Sequence, residues 1–487
     1  MFPKSLTLVL FGLLFSFAAS HAAVYHVPDD FATIQGAINA TVDGDTIIVR
    51  AGTYVENINI ITDITVESEL GPAVTIIDGN QAGSVVTIIG NPGMNVVLDG
   101  FTITNGTGTD LDPDPYLNDH LGGGVVCIDS FPTIRGNIIS DNIAWDPAGF
   151  GYGYGGGIYC GASPAVIDGN IIKHNVAGDI PAGAFGYGGG IFCIDSTYLT
   201  IKNNRVLENL SGDDGAGIAW WYTDGEMINN IIAGNISSAC GGGIDIWGSN
   251  PVVTNNTVAH NLATGAGAQG GGLRTVGAVP ALTNCIFWDN FAQISPEIYD
   301  PGMVCPINYC DIMGGWPTGM GNFSADPAFV GNGDYHLTWN SPCKDAGDSF
   351  APLLPGADFE GDPRIALAGA DVGADEFYYH LYHTGSVIAG STIDIRVVGG
   401  PAFPVKLYLG SGLASTPYST AHGFFYLNWP PVWQGVIGTV PGTGVLIFTV
   451  TVPATWTQYS THPIQALVGP MGGPFTSLTN YEMLVVE

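Results

Sequence analysis

The sequence predicts an all-β chain wound as a parallel β-helix, with a helical cap before it and a small β-sandwich after it. Three observations carry that expectation. Glycine triplets recur along the middle of the chain, asparagines recur in step with them, and turn-forming residues dominate the composition. Of 487 residues, 71 are glycine, about twice the usual share, and Gly, Asn and Asp favour turns over helices. Charged residues make up only 11%, acids outnumber bases 43 to 11, and the net charge is −32. That balance argues against nucleic acid as a partner, because phosphate contacts need clustered Lys and Arg. It argues equally against an anionic membrane surface. With 46% hydrophobic residues and no long like-charge runs, disorder is not expected.

Residues 1–22 read as a signal peptide. Lys4 precedes an apolar run from Leu6 to Ala19, and Ser20 and Ala22 suit cleavage. The run is short for a membrane span, and no later stretch offers an integral membrane segment. The expectation is an exported protein, secreted or held at the cell surface. Export permits disulfides among the eight cysteines. Cys305 and Cys310 are close enough in sequence to bridge, Cys285 and Cys343 are further candidates, and no cysteine pair has zinc-ligand spacing with a supporting His. Next, Phe31 to Ala40 has helical spacing behind Asp29 and Asp30 as potential N-caps. A short amphipathic helix there would cover the first coil of a solenoid.

The repeats define residues 23–377. Triplets begin at Gly122, Gly155, Gly188, Gly215 (as Gly-Ala-Gly), Gly241 and Gly270, each followed by an apolar residue. In step run Asn105, Asn142, Asn175, Asn209, Asn235, Asn261 and Asn290. Five residues before these lie Gly100, Asn137, Asn170, Asn204, Asn230, Asn256 and Cys285. Each unit reads as three short strands separated by bends, too small to bury its own apolar face, so units must stack. Stacking in register makes parallel sheets, with equivalent residues ~4.8 Å apart and buried asparagines bonded along the stack as ladders. Leucine-rich and propeller repeats fit less well.

The segments "VPDDFATIQGAINATVDGDTIIVRAGTYVENINI", "GPAVTIIDGN", "LDGFTITNG", "NYCDIMGG", "SPCKDAGD" and "GADVGADEF" resemble secreted bacterial right-handed parallel β-helix repeat proteins of the pectin-lyase-like class. The resemblance covers roughly residues 24–377 and implies the fold and export, but no single activity: the class includes lyases, hydrolases, epimerases and adhesins. From residue 378 to 487 the ladder stops, cysteines vanish and alternating strands appear. The stretch from "PVKLYLGSG" to "LTNYEMLVVE" looks like a C-terminal β-sandwich accessory module.

Chemistry is expected on the strand after each triplet. Its inward positions hold Cys127, Cys160 and Cys193, expected as core thiols. Outward positions hold Tyr159, Phe192, Asp245 and Arg274, then Trp221 and Trp247. Flat rings in a row beside carboxylates suit a sugar chain, so these six are the expected ligand-binding set for a polysaccharide or cell-surface glycan. The competing reading has glycine-rich loops, which carry Trp145, Phe150, Tyr152, Tyr154, Phe185 and Tyr187, fold over this face and bury the rings. Catalytic candidates are fewer. Asp213-Asp214 resembles the adjacent Asp pair of polygalacturonases, but the Ser-His-Gly and Arg-Ile-Lys motifs of that family are missing. His174 falls between Asp141 and Glu208 on successive coils and reads as a general-acid candidate or a solvated polar ladder. Arg135, Asp168 and Lys202 stack as a charge ladder. Alternate Asp110, Asp112 and Asp114 resemble the start of a calcium loop, interrupted by Pro113 and Pro115; calcium is the one cofactor candidate. The leading expectation is a non-catalytic glycan-binding or surface protein, and the alternative is a polysaccharide lyase or glycoside hydrolase.

Overall fold

The computed structural model describes residues 22–90, 93–111, 119–145, 151–178, 185–365 and 369–377, together with the backbone of nine strands between 381 and 485. Residues 1–21 of the expected signal peptide lie outside the described residues, as do Asp112, Asp114 and Phe150.

Apolar residues alternating along strands of three or four residues wind the chain into a parallel solenoid. One coil runs through Val125–Ile128, Thr133–Arg135, Ile138–Ser140 and the two-residue strand Ile143–Ala144. Equivalent strands stack into three long parallel sheets. The first holds 11 strands from Val24–Val27 to Ile307–Asn308, and the second holds 10 from Gly52–Val55 to Asp311–Ile312. The third holds 9, from Ile58–Ile60 to Ile298–Tyr299. Inward positions form one continuous core, in which Ile134, Ile167, Ile201, Met227, Val253 and Leu282 line up along the first sheet.

Two asparagine ladders bound the second sheet. In one, Asn137, Asn170, Asn204, Asn230 and Asn256 each use the side-chain nitrogen to donate to a carbonyl of the preceding coil. Each of the first four also sends its backbone and side-chain N–H to the Oδ1 of the next asparagine, at 2.9–3.1 Å. Asn142, Asn175, Asn209, Asn235, Asn261 and Asn290 repeat the scheme five residues on. The first ladder continues through sulfur. Asn256 N–H donates to Cys285 Sγ, Cys285 N–H to Cys310 Sγ, and Cys310 N–H to Asn322 Oδ1. All eight cysteines are free thiols, so Cys305 and Cys310 are not bridged. Cys310 sits in the ladder and Cys305 beside Asp300 instead.

Three expectations shift by a few residues. The ladder positions opposite Asn137 and Asn142 are Phe101 and Gly106, whose N–H groups donate to those asparagines. Asn105 instead has φ 61° and aligns with Asp141, His174 and Glu208, all left-handed. The helix spans Ile34–Ile38 with Thr33 as N-cap. Asp30 accepts from His26 N–H and Asp29 pairs with Arg50, while the Glu56 carboxylate takes the Ile34 and Gln35 N–H groups.

Regular parallel pairing ends at Ile312, and the described parts of 343–365 and 369–377 fold back along the outside of the coils. A third asparagine series, directly before the first ladder, seats them. Asn229, Asn255 and Asn284 donate to carbonyls of Ala357, of Asp371 and Gly373, and of Asp348. Beyond residue 380 the described strands pair antiparallel in sheets of 3, 4 and 2 strands. Among the described residues no helix is long and apolar enough to cross a membrane.

Glycine triplets mark where backbones pack closest. Gly155 has φ 69°, and a Cβ on Gly156 would lie 2.5 Å from the carbonyl oxygens of Gly189 and Val176. The spacing around each coil is rigid on two sides. Thirteen or fourteen residues lead from the third glycine to the first ladder (Gly124 to Asn137, Gly190 to Asn204), and five separate the ladders. Only the remaining arc varies, from Asn209–Gly217 at its shortest to Gly106–Gly124 at its longest.

Removing a ladder rung leaves several buried groups without partners. Asn209→Ala is expected to lower stability by about 3 kcal/mol or more, from at least two orphaned backbone groups, read as an earlier urea midpoint. The last rung adds a pH signature. Glu297 accepts both Asn290 nitrogens, and burial pushes its carboxyl up to about 7. That is above an unfolded value of about 4.3, so the folded chain holds a proton that the unfolded chain releases. The resulting stability is full below about pH 4 and lost as pH rises through about 7. Glu297→Gln, neutral throughout, is expected to flatten this part of the stability profile; an unchanged profile would refute the assignment.

Candidate functional site

The long arcs build a cleft. Where Gly106–Gly124, Asn142–Gly157 and Asn175–Gly190 are longest, their chain adds a four-stranded sheet of Thr109–Asp110, His120–Leu121, Gly153–Tyr154 and Gly186–Tyr187. This sheet stands beside the outer face of the third long sheet and turns Tyr154 and Tyr187 toward it. Their rings stack on each other at 5.6 Å, with Tyr154 5.0 Å from Phe192 and Tyr187 4.8 Å from Trp221. Tyr159 stacks on Phe192 at 5.7 Å, and Trp221 meets Trp247 at 5.7 Å. A cavity of about 450 Å³ lies over this floor, lined by Tyr154, Tyr159, Phe192 and Trp221, with Asp119 and Leu121 among its walls.

The stripe is partly covered. Tyr159, Trp221 and Trp247 are half-buried, whereas Phe192 is 1% exposed and packs beneath its neighbours. Burial pushes the Tyr159 hydroxyl up to about 12, and Tyr154 and Tyr187 upward as well. All three phenols are therefore neutral hydrogen-bonding groups. Tyr187 bonds Asp213, whose carboxyl is raised first by burial and then by Asp214.

Asp245 and Arg274 are withdrawn from any ligand. Arg274 donates from Nε to Asp245 at 2.6 Å and from a terminal nitrogen to Asp214 at 2.5 Å, both at buried positions. Burial opposes the guanidinium charge, but the two carboxylates outweigh it and raise its pKa. Burial also pushes Asp245 up to about 6 against the pull of Arg274. Asp245 accepts from the Trp221 indole N–H at 3.2 Å, and Arg274 lies over the Trp247 ring at 5.7 Å. The ion cluster thus holds both tryptophans from beneath. Asp214 is further occupied by the Cys240 N–H, so the adjacent Asp pair is divided between a buried ion pair and a tyrosine.

A family model described as a right handed beta helix region matches residues 75–250. Among solved structures the β-helix is similar to a pectin methylesterase in complex with a hexasaccharide. The identity is 11%, covering 60% of this chain and 70% of that one, with a TM-score of 0.21. At that level the likeness carries neither activity nor substrate. No curated protein matches the chain.

The His174 row and the Arg135–Lys202 ladder lie on other sides of the coil. His174 bridges Glu208 at 2.8 Å and Asp141 at 3.8 Å, and all three side chains are largely exposed. His260 and Asp289 continue the same row, which makes it a solvated polar ladder. Arg135 pairs with Asp99 and Lys202 with Asp168. Asp110 lies on a strand paired with His120–Leu121; with Asp112 and Asp114 undescribed, the calcium loop has no geometry here. Burial raises the Cys127 and Cys193 thiols well above their usual range, as expected of core thiols.

Arg274→Met leaves two buried carboxylates facing each other. The expected loss is about 3–5 kcal/mol by denaturant titration, with a change in tryptophan emission. Adding Asp214→Asn and Asp245→Asn to that variant is expected to recover most of it. An Arg274→Met protein as stable as the parent would contradict the ion cluster.

Proposed function

We propose that the chain is an exported β-helix binding protein whose aromatic cleft holds a glycan strand without converting it. The observation that carries this reading is the pairing of half-buried rings with a walled groove: Tyr159 and Trp221 line the cavity beside Tyr154 and Asp119. Pyranose rings present apolar C–H faces that stack on aromatics, while their hydroxyls bond neutral phenols and a carboxylate. The residues best placed for chemistry argue for binding rather than turnover. Asp214, Asp245 and Arg274 satisfy one another, and His174 lies on an exposed row away from the groove.

Three parts of this reading complete it. Residues 1–22 serve as the export signal, giving a secreted or surface location. The helix Ile34–Ile38, whose Ile34, Ala37 and Ile38 join the main core, closes the first coil. The antiparallel strands from residue 381 onward form a β-sandwich accessory module. A carbohydrate-active enzyme is the alternative, and Asp213, with its raised carboxyl beside Tyr187, is the group that would serve it as an acid.

Calorimetry and tryptophan quenching against a panel of neutral and uronate-rich polysaccharides test the proposal. One class is expected to bind, Trp221→Ala to weaken that binding by about tenfold or more, as loss of a stacking contact worth ~1.5 kcal/mol implies, and His174→Ala to leave it unchanged. The same mixtures are scored for reducing ends and unsaturated products. Product formation abolished by Asp213→Asn would replace binding by catalysis; silence across the panel would remove the glycan reading.

A further inference from the structure

We propose that His336, Glu360 and Asp375 form a site for one divalent transition-metal ion of the Zn²⁺ or Mn²⁺ type, outside the aromatic cleft and independent of its function. One imidazole nitrogen and two carboxylate oxygens converge here with their ligand atoms all within 4.8 Å of one another. The three residues come from separate parts of the segment that follows the last coil. His336 lies on the strand Asp334–Leu337. Glu360 lies on a turn held by Asp358, whose Oδ1 accepts the N–H groups of Glu360, Gly361 and Asp362. Asp375 is fixed by the Leu337 N–H at 2.8 Å, so one carboxylate is already tied to the histidine's strand.

The donor set selects the ion. Imidazole with carboxylates suits Zn²⁺ and its neighbours, whereas Ca²⁺ asks for six or more oxygens. His336 is 93% buried, with Nε2 2.8 Å from Glu360 and Nδ1 bonded to Asp334. That second-nitrogen contact to a carboxylate is the arrangement that orients and strengthens a metal-binding histidine. Charge points the same way. Asp334, Glu360 and Asp375 surround one imidazole, and the nearby Arg364 guanidinium spends its hydrogen bonds on Asn229 and on the carbonyls of Gly373, Ala374 and Asp375. Carboxylates gathered around a buried imidazole, with Glu360 reaching in from the surface, make a locally negative pocket that favours a bound cation. An entry route is present as well: Glu360 lines a cavity of about 680 Å³ shared with Asp168, Lys202 and Glu226. An ion replacing the proton between His336 and Glu360 would lock the turn around Glu360 to the hairpin and, through Asp375, to the coils.

The test uses the full chain, stripped by chelator and titrated with ZnCl₂, while CaCl₂ serves as the comparison. One zinc ion per chain and a higher melting temperature are expected, with no matching response to calcium. Glu360→Gln keeps size and surface position and is expected to melt like the stripped parent. Its zinc affinity should fall by about tenfold or more, at the scale of a lost ligand or its orienting partner. His336→Ala is expected to abolish binding, and if it fails to fold the Glu360→Gln comparison still decides. Less than one zinc per several chains, or affinity unchanged by Glu360→Gln, would overturn the site. An equal calcium response would overturn the choice of ion.

Discussion

The fold depends on one coil bonding to the next in strict register, with the corner bends included. Parallel strands satisfy their own backbones, but a bend turns N–H and carbonyl groups inward, where burial without a partner is expensive. The ladder asparagines solve this: each supplies an acceptor to the N–H of the coil before it and a donor to that coil's carbonyl. Each rung sends its backbone N–H to the Oδ1 of the next, so the series needs an acceptor at its end. Glu297 provides it on one ladder, and Cys310 leading to Asn322 provides it on the other. The left-handed residue before each rung and the close glycine triplet opposite are consequences of the same register.

Much of this was legible in the sequence because a stacked solenoid repeats its constraints. The triplets, the five-residue interval between ladders and the inward Ile and Cys positions could be read from spacing alone. Errors arose where a coil departs from the repeat. Asn105 looks like a rung but sits one residue early, and Gly106 contributes only its N–H. Asp29 and Asp30 look like helix caps, yet Arg50 and the turn at His26 claim them. Cys285 was placed in the series by position, but nothing in its identity announces a thiol acting as an acceptor.

The cleft was half legible. Alternation puts Tyr159, Phe192, Trp221 and Trp247 on one face. How far the rings are covered depends on a pair of Gly-Tyr strands from the neighbouring arcs, which lay Tyr154 over Phe192 and Tyr187 against Trp221. Arg274 and Asp214 are 60 residues apart, on coils that are not adjacent, and no local pattern links them. The asparagines at 229, 255 and 284 were visible as Asn-Asn or Asn-Cys pairs, but the chain they receive returns from more than sixty residues away. Pairings of that kind are set by the third dimension of the stack.

The unequal arcs separate two kinds of sequence change. An insertion between a ladder asparagine and the next glycine triplet lengthens only the wall of the groove, because the other two sides of the coil are clamped at fixed residue counts. The interval already runs from Asn209–Gly217 to Gly106–Gly124 within a single chain, without disturbing the rungs on either side. A β-helix of this kind can therefore reshape the wall of its groove by splicing new arcs into one corner, one coil at a time, while the spine that keeps it wound is inherited unaltered.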